Sequence, residues 1–145
     1  MGGLFNPKHG PVVPIGPFFV ANLDTALTNT DLVIGQAGQT LQNMPSAGTV
    51  LGLSVVASAA PSAGTAIFSV HSAGTEIVSG PTATIDSVTN TLESSGLASS
   101  ARQHTFSKGA RLGVSATTTT TLSATTVDYN VILWVRFDPD GLANA

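Results

Sequence analysis

The 145-residue chain has no cysteine, which excludes disulfides, Cys-ligated zinc and iron–sulfur clusters. Charge is also scarce. Five basic and eight acidic residues make up 9% of the chain, against about 25% in an average domain. With a net charge of -3, a nucleic-acid binder working by phosphate neutralisation is excluded, because that needs clustered Lys and Arg. No apolar run approaches the roughly 18 residues of a membrane span. Pro7, Pro11, Pro14 and Pro17 interrupt the first apolar stretch, so it does not read as a secretory signal. Disorder is excluded as well, since the chain is 42% hydrophobic with a mean hydropathy of +0.31. At 14.6 kDa it has the size of one domain with a real core.

Small residues take the place of charge: 19 Thr, 18 Ala, 15 Ser and 15 Gly. Thr favours strands, whereas Gly and Pro punctuate turns. A surface so poor in charge has little repulsion to keep copies apart, which suggests that partners cover part of it. From Thr28 the apolar residues recur with period two. Candidate strands are 28–35, 39–44, 49–59, 65–71, 75–78, 82–88, 110–117 and 127–137, separated by turns such as Pro61-Ser62-Ala63-Gly64. Inward positions include Leu51, Leu53, Val55, Phe68, Val70, Ala83, Ile85, Leu112, Val114, Ala116, Val131, Leu133, Val135 and Phe137. Residues 89–104 read as a loop with a short strand or turn, and Thr117–Thr121 as a rim. The expected fold is all-β: an antiparallel, jelly-roll-like β-sandwich of about eight strands.

Residues 1–20 stand apart. Proline at every third or fourth position argues against a helix or a central strand and favours an extended path. Yet Leu4, Phe5, Val12, Val13, Ile15, Phe18 and Phe19 would form a greasy stripe if left in water. Either the arm packs on its own domain as an irregular edge segment or it lies on another copy. On the second, favoured reading these residues are the candidate subunit interface of an arm that clamps a neighbouring copy. The expected organisation is an arm over 1–20, a sandwich over 21–140 and a tail over 141–145. On that reading, deleting residues 1–17 leaves a folded sandwich that no longer assembles.

Chemistry finds no foothold in the motifs. His9, His71 and His104 fall in the arm, at a strand end and in a loop, and read as surface or turn histidines. Neither a G-x-S-x-G elbow nor an H-E-x-x-H occurs. Asp138-Pro139-Asp140-Gly141 is a turn, not a calcium loop. No spacing singles out a carboxylate pair among Asp24, Asp31, Glu76, Asp86, Glu93 and Asp128. Tyr129 and Trp134 could stack on a sugar, but their place on the most apolar strand points to core packing. No catalytic residue, metal or cofactor is expected.

Four segments carry a resemblance: Met44-Pro45-Ser46-Ala47-Gly48-Thr49-Val50-Leu51-Gly52-Leu53-Ser54-Val55, then Ala63-Gly64-Thr65, then Phe106-Ser107-Lys108-Gly109-Ala110-Arg111-Leu112-Gly113-Val114, then Asp128-Tyr129-Asn130-Val131-Ile132-Leu133-Trp134-Val135. Over residues 40–137 this series of turns and strands resembles small β-sandwich structural proteins of tailed bacteriophages. Ala110 departs from the acid often found at its position. With the arm added, the chain is most similar to capsid decoration proteins such as those of Thermus phages. The resemblance implies a homotrimer on the outer capsid surface of the virion, made in the host cytoplasm and bound to the major capsid protein. No nucleic-acid or membrane partner is expected, given the few basic residues and the short apolar runs. The rival is a tail-fibre or receptor-binding sandwich that recognises a host glycan; an enzyme is a third option.

Overall fold

The computed structural model describes residues 10–35, 38–73, 75–77, 80–97, 104–123 and 126–138. The strands are β1 (Val12–Val20), β2 (Thr30–Asp31), β3 (Val33–Ile34), β4 (Gln42–Asn43), β5 (Gly48–Ala57) and β6 (Thr65–Ser72). They continue with β7 (Thr75–Glu76), β8 (Thr82–Asp86), β9 (Glu93–Leu97), β10 (His104–Phe106), β11 (Arg111–Thr118) and β12 (Tyr129–Phe137). The fold is all-β, and the pairings are antiparallel.

Two sheets face each other. Sheet A runs β10-β5-β12-β1-β3, with β9 beside β10 on the same edge of β5. Sheet B runs β2-β11-β6-β7, with β4 beside β2 on β11 and β8 beside β7 on β6. Short strands that share an edge occupy one position, which leaves eight positions in chain order. Sheet A then reads first, eighth, third, sixth, with β3, the part of the second position that crosses over, added beyond the first; sheet B reads second, seventh, fourth, fifth. That order is a jelly roll, two four-stranded sheets linked by Greek keys. The strand count exceeds eight because the second, fifth and sixth positions are each split into short strands.

Period two decides which side chains meet between the sheets. Leu53 and Val55 of β5, Phe68 and Val70 of β6, Leu112 and Val114 of β11, and Val131, Leu133 and Val135 of β12 are all buried. Leu51 departs from expectation. The register between β5 and β12 slips beside it, so Val50 takes the inward place and Leu51 is only half-buried.

The largest correction concerns the arm. Residues 12–20 are not outside the sandwich: they form β1, between β12 and β3. The prolines are accommodated by position. The Pro11 carbonyl accepts from the Phe137 N–H (3.1 Å), so ladder alternation turns the N–H groups of Val13 and Ile15 to β12 and the Pro14 nitrogen away. On that far side β3 meets only Phe18 and Phe19, so the missing Pro14 donor breaks no ladder bond. Pro17 falls in the register shift between Ile15 and Phe18. Gly16 beside it has φ +133°, and a Cβ there would sit 3.0 Å from the Val131 carbonyl oxygen, so only glycine fits.

Two crossings close the sandwich. Residues 30–34 pass from sheet B to sheet A, with Leu32 buried and its N–H on the Val114 carbonyl (2.8 Å). On the opposite side, β8 of sheet B turns into β9 of sheet A. Asp86 organises that turn by accepting the N–H groups of Thr89 (2.6 Å) and Val88 (2.7 Å). These two bonds hold its carboxyl below the usual carboxylate range.

Tyr129, the only tyrosine, lies in the core against Phe68, ring centroids 5.3 Å apart. Its buried hydroxyl meets no hydrogen-bond partner among the described residues, and burial raises its pKa above the ordinary 10.0. Because the unfolded chain ionises first, stability is expected to fall as pH rises through 10 toward the folded value. Tyr129→Phe should remove that loss and raise stability at neutral pH by about 1 kcal/mol. Urea unfolding at neutral and alkaline pH checks both; a variant less stable than wild type would show that the hydroxyl is satisfied.

Candidate functional site

One buried polar cluster lies on the outer face of sheet B. Alternation places His71 of β6 and Ser115 of β11 outward, and Ser115 pairs in register with Asp31 of β2. His71 Nε2 and Ser115 Oγ are 2.5 Å apart, and His71 Nδ1 stands 3.9 Å from Asp31 Oδ1. His71 is 3% exposed and Ser115 fully buried, which corrects the expectation of surface or turn histidines. Their cover is the segment at Thr40 and Leu41, which crosses β11 so closely that a Cβ on Gly113, the register partner of His71, would lie 2.5 Å from the Thr40 carbonyl oxygen.

Serine, histidine and aspartate thus stand in the order of a hydrolase triad, but the arrangement does not suit one. A nucleophile needs open approach to substrate, and Ser115 has none. The Asp31 carboxylate is beyond hydrogen-bond reach of the imidazole that it would orient. The cluster ties β2, β6 and β11 together beneath the Thr40–Leu41 crossing. His104 lies on β10, half-buried, lining a cavity of about 340 Å³ with Val50, Ile77, Phe106 and Leu112. His9 lies outside the described residues, as does the turn after Asp138. Among the described residues no three His, Asp or Glu side chains gather as metal ligands, and no helix is long and apolar enough to cross a membrane.

An open apolar feature lies on the outer face of sheet A. The register sets it out in rows. Trp134 faces Pro14 of β1 on one side and Gly52 of β5 on the other, with Leu97 of β9 beyond. The next row holds Ile132, Ser54 and Ser95, and the last holds Phe19, Asn130, Val56 and Glu93. On the other side of the Trp134 row, Arg136 stands between Val12 and Thr49. Leu97 is 80% exposed, Val12 and Val56 56%, and Phe19 41%. Trp134 is half-buried, its indole N–H donating to Ser54 Oγ at 2.9 Å, which carries the ring across β5. Core packing therefore holds for Tyr129 and fails for Trp134.

The candidate interface residues divide accordingly. Phe18 is core, and Val13 and Ile15 pack half-buried against that core, so these three serve the chain's own fold. Val12 and Phe19 point outward onto the open face. Leu4 and Phe5 lie outside the described residues. Val56, Leu97, Ile132 and Trp134 complete the face; none of them is among the candidate interface residues of the sequence, which names Trp134 only as a possible sugar-stacking residue. The chain matches no protein-family model, no curated protein and no solved structure.

Proposed function

We propose that this chain is a structural protein of a virion, which decorates and stabilises a phage capsid from its outer surface as a homotrimer bound to the major capsid protein. The observation that carries this reading is the open apolar face of sheet A on a chain with so little charge. Soluble monomers seldom leave such a patch uncovered. Two further points support it. The resemblance over residues 40–137 is to phage structural proteins, and the jelly roll is an architecture of viral capsid domains, a fold-level analogy. The same architecture serves lectins, and the indole of Trp134 favours a second reading, a module that binds a host glycan. Leu97 lies in the row of that indole and Ile132 in the next, however, and the indole N–H already donates to Ser54, which suits a protein contact better than a polyhydroxylated ring.

Heads assembled from the major capsid protein of the same virus provide the test. The chain is expected to co-sediment with them and to raise their disruption temperature. Failure to bind, together with retention on immobilised host glycan, would replace this reading with the second one.

A further inference from the structure

We infer that the outer face of sheet A pairs with the same face of a second copy about a two-fold axis, with Arg136 of each copy over Glu93 of the other. This rests on the reading that the chain works by assembling with itself, and it names the surface and the contact. The pairing adds a two-fold contact to the proposed trimer.

Size is the first argument. The face spans β9, β5, β12, β1 and the margin of β3, strands about 4.8 Å apart and some seven residues long at about 3.3 Å each. Its projected footprint is therefore about 550 Å², and side-chain relief brings the accessible area toward the roughly 800 Å² per partner of a stable complex. Chemistry is the second. Leu97, Val56, Ile132, Trp134, Val12 and Phe19 supply an apolar centre and margins, and serines and Asn130 supply uncharged polar groups.

Charge is the third argument, and it selects a second copy over an unrelated partner. Among the described residues, the strands that form the face carry one outward base and one outward acid. Arg136 lies in the row of Thr49 on the central strand β12, and Glu93 lies in the row of Val56 on the outermost strand β9, so the two stand at opposite ends of the face along the strands. Neither makes an ion pair within the chain among the described residues. Ser54 and Ile132 lie near the midpoint between them. A two-fold axis in the plane of the face, passing beside those two residues, exchanges the two positions. Each Arg136 then meets the other copy's Glu93, and both charges are matched twice over. An isologous contact has this property only when a face is complementary to itself.

The test is the mass in solution at about 100 µM by light scattering, with a charge-reversal cycle. Wild type is expected to contain an even number of copies: about 29 kDa for the pair alone, twice the 14.6 kDa chain, or six copies where trimers also form. Arg136→Glu sets two like-charged pairs in the contact and should weaken pairing at least tenfold. Glu93→Arg combined with Arg136→Glu should restore it, because the reversed charges match again. Both side chains are exposed or half-buried, and circular dichroism confirms that each variant is folded. Should a variant unfold, Leu97→Lys on the same face replaces it, with the same loss of pairing expected. A single chain or an odd number of copies in wild type, or no restoration by the double variant, overturns the inference. A three-copy species that still binds heads would overturn the pairing and leave the capsid reading intact. Pairing without head binding would do the reverse.

Discussion

Deleting residues 1–17 is expected to unfold the protein, and Phe18→Ala to cost about 3–5 kcal/mol. The deletion removes the part of β1 that pairs Val12, Val13, Pro14 and Ile15 with Arg136, Val135, Trp134 and Leu133. It leaves β12, otherwise central in sheet A, with half of one edge open, and it withdraws Val13 and Ile15 from the core. Phe18 has no exposed surface and packs inward opposite Val131, so its truncation leaves a cavity in addition to losing buried apolar area. A domain of this kind is stable by some 5–15 kcal/mol in all, so either change takes a large share. Phe19→Ala is the control: its side chain lies on the open face, and the expected cost is below about 1 kcal/mol. Urea unfolding followed by the fluorescence of Trp134, the only tryptophan, ranks the three. A truncated protein that unfolds at the wild-type midpoint would restore the detachable arm and contradict the placement of β1.

That result bears on what can be read from the chain. Where alternation runs unbroken, as in 65–71, 111–118 and 129–137, parity assigned inward residues correctly, because a strand with one buried face admits no other register. Parity also contained the answer for Trp134. It shares an outward phase with Ile132 and Arg136, whereas Tyr129 shares the inward phase of Val131 and Leu133. Overall apolarity of the strand obscured this. The arm was misjudged for a different reason. A proline excludes a strand only if its nitrogen faces a neighbour, and which side Pro14 faces depends on pairing with β12, over a hundred residues away. The buried cluster was hidden for the same kind of reason. His71 and Ser115 carry an outward phase, and the crossing at Thr40 and Leu41 over Gly113, the register partner of His71, is not legible from strand parity. Strand β9, with the sequence Glu93-Ser94-Ser95-Gly96-Leu97, has no strand-favouring composition at all. It is a strand because its glycine permits an approach that no other residue would.

Gly96→Ala is accordingly expected to cost about 3 kcal/mol or more, at the upper end of overpacking effects. A Cβ on Gly96 would lie only 1.7 Å from the Thr82 carbonyl oxygen and 2.6 Å from its carbon. Neither side can yield cheaply. Thr82 belongs to β8 and is paired with Ser69 of sheet B, while Gly96 belongs to β9 and is paired with Leu53 of sheet A. The added methyl therefore pushes the two sheets apart at the corner where they meet, and packed interiors resist such displacement. Gly109→Ala isolates the alternative cause. Gly109 has φ +85° but nothing within 4 Å of a built Cβ, so only backbone strain applies, about 1–2 kcal/mol. The expected order, Gly96→Ala well above Gly109→Ala, assigns the larger penalty to steric closure rather than to conformation. A functional consequence follows from position, since Leu97, the most exposed large side chain on the outer face of sheet A, is the next residue. Any shift of β9 away from β5 moves Leu97 and Glu93 out of the face together. Gly96→Ala should thus lose self-association at temperatures where it is still folded. If this variant instead unfolds within about 1 kcal/mol of wild type, β8 and β9 do not close the corner as described, and the open face loses the strand that carries its acidic corner.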